Sequence, residues 1–270
     1  MVLYYSLLYF FTYGFLGWCI EVAFAAVKNR QFVNRGFLNG PLCPIYGIGV
    51  SAVVLVLDPY KDNLVILYVT SAVLVTVLEY VTGALLEKLF HHKWWDYSKM
   101  PWNIKGYVCI LFSLIWGAAC VVIVKLIHPL IHRLLSFIPT VAGVIFLVLL
   151  CAGLTADLCV TVAGILKWNR QLDAMEEMAE KLHVLSEQIG ENIYKNMMIN
   201  IEIQEEAKKK AEEIKVRYDE MIEKQSRIGK RLLKAFPAME SRKHPYQLFE
   251  LKNYIKEKAE TIEKRKGKRQ

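Results

Sequence analysis

The sequence predicts an all-α fold: a polytopic transmembrane helical bundle of about five spans, followed by a long helical tail with coiled-coil character. Three observations carry this. The chain is 54% hydrophobic with a mean hydropathy of +0.27, above the roughly 45–50% apolar content of soluble domains. Its charge is unevenly spread: residues 1–166 hold 10 Lys and Arg and 7 Asp and Glu, residues 167–270 hold 24 and 19. The first part also contains five apolar runs long enough to consider against a ~30 Å hydrocarbon core at 1.5 Å per helical residue. The net charge of +8 is therefore dispersed over loops and tail and does not form one basic groove. Nothing in the sequence points to nucleic acid as a partner; the lipid bilayer is the expected one.

The first run, Val2 to Val27, lacks the basic n-region of a signal peptide and is too long for an h-region, so it is expected to remain as an anchor. The second, Pro41 to Leu57, is the shortest and opens with Pro41 and Pro44, and either spans or re-enters. Leu64 to Phe90, Tyr107 to Ile127 and Pro139 to Leu166 complete the set. Unpaired backbone amides in lipid cost several kcal/mol, so each run is expected to be helical. Six separate cysteines, without C-x-x-C or metal-ligand spacing, read as small buried hydrophobes. No cofactor is expected.

Loop charge sets the expected orientation. With the N-terminus outside, the inner segments collect Lys28, Arg30, Arg35, Lys88, Lys93, Lys99, Lys105, Lys167 and Arg170, against Lys61, Lys125 and Arg133 outside. The prediction is N-out and C-in, with both larger loops, 28–40 and 91–106, facing the cytoplasm.

After Leu166 nothing stops the fifth helix until Pro237. Residues 167–237 carry a heptad starting at Leu172 with partner positions Met175, Leu182 and Ile189. Its second seam shifts by four residues after Ile203, a stutter. With Gly190, Asn196 and Asn200 nearby, the tail is either one long helix or a hairpin, and it offers a surface for homo-oligomerisation. Residues 238–270 read as a short amphipathic helix (Leu248, Leu251, Tyr254, Ile255, Ile262) with a basic, disordered end from Glu263.

Ionisable residues inside spans cost about 2.5–3.5 kcal/mol each on insertion scales. Four occur, Glu21, Glu79, Glu87 and Asp157, all in the inner half of their helices. Glu87 lies at the interface, whereas Glu21, Glu79 and Asp157 come from separate helices at similar depth. They are expected to converge on a polar cavity open to the cytoplasm, within reach of Arg35. Two loops look too specific for linkers. Asn34-Arg35-Gly36-Phe37-Leu38-Asn39-Gly40-Pro41-Leu42-Cys43-Pro44-Ile45-Tyr46-Gly47 combines three glycines and two prolines with Arg, Asn and Tyr, the composition of a fixed or re-entrant turn. His91-His92-Lys93-Trp94-Trp95-Asp96-Tyr97-Ser98 places aromatics at headgroup level. No P-loop, no G-x-S-x-G elbow and no H-E-x-x-H occur, so no enzymatic activity is expected.

Several of these motifs, in order, resemble the CmpB-like bacterial membrane proteins, a family described as ABC-transporter type IV permeases. They are Gly17-Trp18 with Glu21, Asn34 to Gly47, Leu78-Glu79-Tyr80 with Thr82-Gly83 and Leu86-Glu87, Trp94 to Ser98, and Ser113-Leu114 with Trp116-Gly117. The fifth helix through Asp157 and the stretch Arg231 to Pro237 extend the resemblance. It implies a polytopic α-helical permease subunit working with a separate ATPase, and carries no catalytic or substrate residues with it. Motif position and burial cost together nominate Glu21, Arg35, Glu79, Trp95, Asp96 and Asp157, for a small polar or cationic solute. A membrane-anchored scaffold or signalling protein acting through its tail is the alternative.

Overall fold

The computed structural model describes residues 1–30, 32–195, 201–224 and 226–267. It divides into two compact units. The first comprises Met1–Ala163 together with Arg231–Glu240; the second comprises Gly164–Lys230 and Ser241–Gln270.

Helix α1 runs over Val2–Asn29 and stops where Arg30 turns left-handed (φ 52°). Helix α2, Pro44–Leu57, begins on a proline, whose missing N–H is no loss in a first turn. It continues as a 3-10 turn, Asp58–Tyr60. Asn63 caps α3, Leu64–Phe90, by accepting from the N–H groups of Val65 and Ile66 at 3.1 Å each. His91, left-handed at φ 61°, ends it and donates its N–H to the Glu87 carbonyl, so its backbone role is that of a cap.

Helix α4, Ile110–Val122, does not end near Ile127 as the sequence reading expects. It passes through a π turn, Ile123–Ile127, into α5, His128–Ser136. Pro129 explains the turn. A proline in a helix lacks the N–H that would bond four residues back and crowds that carbonyl, here Lys125's; the wider turn opens the ladder, and His128 N–H bonds Ile123 instead. Helix α6 then runs unbroken over Thr140–Lys195, 56 residues.

Among the described residues, four helices are long and apolar enough to cross a membrane: Val2–Lys28, Leu64–Phe90, Ile110–Ser136 and Thr140–Glu187. Pro44–Tyr60 is a shorter apolar helix. Its α-helical part, 14 residues, reaches about 21 Å at 1.5 Å per residue.

Helix α3 shows how the first unit sorts its faces. Val69, Val73, Val77, Val81, Leu85 and Leu89, four residues apart, are exposed apolar side chains, the stripe a helix offers to lipid. The stripe Leu67, Ser71, Glu79, Gly83 and Glu87 is buried. Both glutamates thus face protein. The core joins Tyr9 and Tyr13 of α1, Val53, Val54 and Leu57 of α2, Leu67 of α3, Cys120 of α4 and Val124 of the π turn. A second cluster sets Leu8 and Phe11 against Leu147 of α6. Of the cysteines, Cys43, Cys109 and Cys120 are buried, Cys19 and Cys151 half-buried and Cys159 exposed; none is disulfide-bonded.

Glycines set the spacing of α1 and α2: a Cβ on Gly17 would enter the Tyr46 ring, and one on Gly47 would meet the Phe10 carbonyl at 2.5 Å. A backbone atom cannot move aside as a side-chain tip can. Gly47→Val is therefore expected to cost about 2–3 kcal/mol by overpacking, read as a lower midpoint of thermal unfolding in detergent.

In the second unit, α7 (Ile201–Glu223), α8 (Arg227–Ala235, from Arg227 to Lys230 in this unit) and α9 (Pro245–Gly267) accompany the end of α6. The chain folds back on itself: Gly164 faces Ile228 and Gly229 faces Trp168. His244, 2% exposed, lies 2.9 Å from both Asp173 and Glu176. The first seam positions, Leu172 and Met175, are buried within the folded chain, while Asn196 and Asn200 lie outside the described residues. Helix α9 continues through Gly267, beyond the expected disordered start at Glu263; Glu, Lys and Arg are good helix formers and no breaker precedes Gly267.

Candidate functional site

The loop between α1 and α2 is built around Asn34. Its side-chain oxygen accepts from Trp18 Nε1 at 2.8 Å and from Gly36 N at 3.0 Å, and its amide donates to the carbonyls of Leu38 and Asn39 at 3.4 and 2.8 Å. The loop is thus a fixed turn that closes on its own backbone.

Asp157 of α6 completes the turn. Its Oδ1 accepts from Asn39 N (3.1 Å), Asn39 Nδ2 (2.9 Å) and Thr161 Oγ1 (3.2 Å), and its Oδ2 from Gly40 N at 2.7 Å. Asn39 also donates to Thr161 Oγ1 at 2.9 Å. A carboxylate that pays a desolvation penalty in an apolar helix is here engaged by four donor groups.

Arg231 holds the same loop from another direction. Its guanidinium donates to the carbonyls of Gly36 (2.8 Å), Phe37 (2.8 Å) and Leu38 (3.0 Å). Burial lowers its pKa from the ordinary guanidinium value and the Asp157 charge acts in the opposite sense. Leu232, Leu233, Ala235 and Met239 are buried beside it in sequence, and Phe236 sets its ring edge-on to Trp94 at 5.1 Å.

Arg35 reaches Glu21 as expected, Nε to Oε2 at 3.5 Å, and stacks its guanidinium over Phe24 at 5.4 Å. The other Glu21 oxygen accepts from the Tyr46 hydroxyl at 2.7 Å. Glu21 therefore ties the start of α2 to α1.

Glu79 is held least. It is 9% exposed, its Oε1 accepts from the Tyr97 hydroxyl at 3.4 Å, and its Oε2 is buried without a hydrogen-bond partner among the described residues. Burial first, then the negative charge of Glu79, and further down Glu21, raise the Tyr97 phenol well above its usual pKa. Two of the nominated acids thus act on one protonated hydroxyl. Glu87, four residues below Gly83, accepts from the Tyr107 hydroxyl at 2.7 Å.

Trp95 and Asp96 organise the loop between α3 and α4. Trp95 Nε1 donates to the Tyr107 carbonyl at 2.7 Å, and a Cβ on Gly83 would meet the Tyr107 ring at 3.0 Å and the Trp95 ring at 3.2 Å. Asp96 accepts from Lys93 Nζ (2.6 Å), Ser98 Oγ (2.6 Å) and Ser98 N (3.1 Å). Burial opposes its charge, but the bonds from Lys93 and Ser98 outweigh that and keep the carboxyl below the usual range. Gly106, at φ +73°, leaves room for this triad; a side chain there would occupy the place of Asp96, Lys93 and Ser98. The loop is pinned by an antiparallel ladder pairing Asn103 with Cys109 and Ile104 with Val108.

The structure therefore joins Glu21, Arg35 and Asp157 through one loop, Asn34 to Tyr46, and sets Glu79 apart, against Tyr97. Trp95 and Asp96 hold a second loop in which Tyr97 sits. Sequence reasoning missed the phenols Tyr46, Tyr97 and Tyr107 as partners of the acids. It also missed Asn39, Thr161 and Arg231, of which Arg231 had its signal in the Arg231 to Pro237 motif. Among the described residues no group of three or more His, Cys, Asp or Glu is placed to hold a metal ion.

A family model described as "Putative ABC-transporter type IV" matches residues 8–162. Glu21, Arg35, Glu79, Trp95, Asp96 and Asp157 all fall inside that stretch, and Arg231 outside it. No curated protein and no solved structure matches the chain.

Proposed function

We propose, from the premise that the chain belongs to the ABC-transporter type IV family that its residues 8–162 match, that it is a permease-like integral membrane subunit. In this reading a separate ATPase subunit supplies the energy, because this chain carries no P-loop of its own. In this reading the chain crosses the membrane five times, N-out and C-in, with the shorter apolar helix Pro44–Tyr60 as the second crossing alongside the four longer ones. The loop Asn34–Cys43 then enters to the depth of Asp157, irregular backbone that a membrane tolerates only where protein buries it or a cavity borders it. The inner half of the bundle handles a small polar or cationic solute.

The observation that carries this reading is Glu79: a buried carboxylate on the protein-facing stripe of α3, with one oxygen unpartnered. Such an oxygen calls for a proton or a cation, whereas Asp157 and Glu21 are already committed to loop contacts. The test has two parts. Affinity purification of the intact protein in mild detergent is expected to recover a nucleotide-binding ATPase at a fixed ratio. Glu79→Gln, inserted at wild-type level, is expected to abolish the solute accumulation or export that distinguishes wild-type cells from a deletion strain. Unchanged transport removes the acid from the mechanism. A bare homo-oligomer, or soluble partners lost when residues 172–270 are removed, shifts the function to the scaffold reading, which the separate packing of the second unit favours.

A further inference from the structure

The end of the first unit opposite the acid-bearing loops holds a second polar cluster, built by α1 and α5. Tyr5, Tyr9 and Tyr13 lie on successive turns of α1, and His128 and His132 on successive turns of α5. The Tyr13 hydroxyl lies 2.9 Å from His128 Nδ1, and the Tyr9 hydroxyl 2.6 Å from His132 Nδ1. The Tyr9 ring stands edge-on to His128 at 4.8 Å, and Tyr5 contacts His132 at 5.3 Å. Both imidazoles are thus oriented from outside their own helix. Their ring centroids are 6.1 Å apart and their planes differ by 32°.

We infer that His128 and His132 form a two-histidine site for a divalent transition-metal ion, with Tyr9 and Tyr13 as the groups that orient the ligands. Two histidines four residues apart share one helix face, the spacing by which helical zinc sites present paired imidazoles. Ligating histidines characteristically hydrogen-bond through the other ring nitrogen, which fixes the tautomer. Here each Nδ1 has its tyrosine, and neither Nε2 has a hydrogen-bond partner among the described residues. When Nδ1–H donates to the phenol oxygen, Nε2 presents its lone pair, so metal binding selects that tautomer at both rings. His132 is exposed and His128 half-buried, leaving access and room for water to complete the coordination sphere. Asp58 is paired with Lys61 at 3.0 Å. The site offers two imidazole nitrogens, suited to Cu²⁺, Ni²⁺ and Zn²⁺ in the order of imidazole affinity and poorly suited to Mg²⁺ or Ca²⁺. It is independent of what the opposite end of the bundle transports.

The test uses the full chain without a polyhistidine tag, in detergent, titrated with CuCl₂ and ZnCl₂ by calorimetry and followed by Cu²⁺ electron paramagnetic resonance. One ion per chain is expected, with two imidazole nitrogens in the spectrum. His128→Asn and His132→Asn are each expected to lower affinity at least 10-fold and leave one nitrogen. Tyr9→Phe, which keeps the ring, is expected to weaken binding by roughly 10-fold with two nitrogens retained, the effect of losing an orienting bond. Binding unchanged in the His128→Asn/His132→Asn double variant, absence of saturable binding, or equal affinity for Mg²⁺ would each overturn the assignment. Thermal unfolding without metal separates loss of ligands from loss of fold.

Discussion

Asp157→Ala is expected to lower the stability of the first unit by about 1–2 kcal/mol, the scale of losing exposed and part-buried hydrogen bonds to a charged acceptor. The carboxylate accepts two backbone N–H groups, Asn39 and Gly40, and two side-chain groups, Asn39 Nδ2 and Thr161 Oγ1. Asn39 Nδ2 and Thr161 Oγ1 also meet each other, so they retain one partner. The two backbone amides do not, and they belong to a turn whose other bonds already run through Asn34. Asp157→Asn tests the charge separately. An amide keeps one acceptor oxygen but sets an NH₂ group against one of the backbone donors, so about half of the loss is expected. The measurement is the unfolding midpoint in detergent, together with protease cleavage at Arg35, which should become faster in proportion. A midpoint unchanged in Asp157→Ala would mean that the loop holds its shape without α6.

How much of this was legible in the sequence depends on whether one residue or two carried the signal. Single-residue costs were readable. A charge inside an apolar run is expensive wherever it points, so Glu21, Glu79 and Asp157 stood out, and Arg35 reaches Glu21 at 3.5 Å. The helices of the first unit were readable for the same reason, since lipid leaves backbone no other choice. Partners were not, because Tyr serves equally as packing, as an interfacial anchor and as a hydrogen-bond donor. Nothing local distinguishes Tyr46 and Tyr97, which meet acids, from Tyr60, which is exposed. The fourth helix continues past Ile127, where its apolar run ends, because the π turn before Pro129 lets the helix accommodate the proline. Trp95 and Asp96 stood out by motif position, and their bonds to Tyr107, Lys93 and Ser98 are local, the mark of a loop framework. Arg231 illustrates the opposite limit: it lies in a charged helical tail, and no periodicity indicates that a basic residue there enters the first unit.

Arg231→Ala is the second large effect expected, and it falls on a segment that composition assigns to the tail. The planar guanidinium spans three consecutive carbonyls, Gly36, Phe37 and Leu38. That fork geometry is unavailable to a lysine, whose single ammonium lacks the planar array of donors. Arg231→Lys is therefore expected to behave nearly as Arg231→Ala, with both losing about 2–4 kcal/mol, the range for charge-assisted bonds whose acceptors are left buried. The neighbouring apolar anchors Leu232, Leu233, Ala235 and Met239 remain, so the segment should loosen without leaving. Adding Leu232→Asp, which places a charge where exposure is 0%, should release it. Limited trypsinolysis reads the difference at Lys234: slow in wild type, on the order of 10-fold faster in Arg231→Ala by the ratio of opening equilibria, and faster again in the double variant. If Arg231→Lys restores wild-type cleavage, the charge alone holds the loop and the three-carbonyl geometry is incidental. If it does not, the short stretch from Arg231 to Glu240 acts as a structural part of the membrane unit, and deleting the tail removes part of the bundle with it.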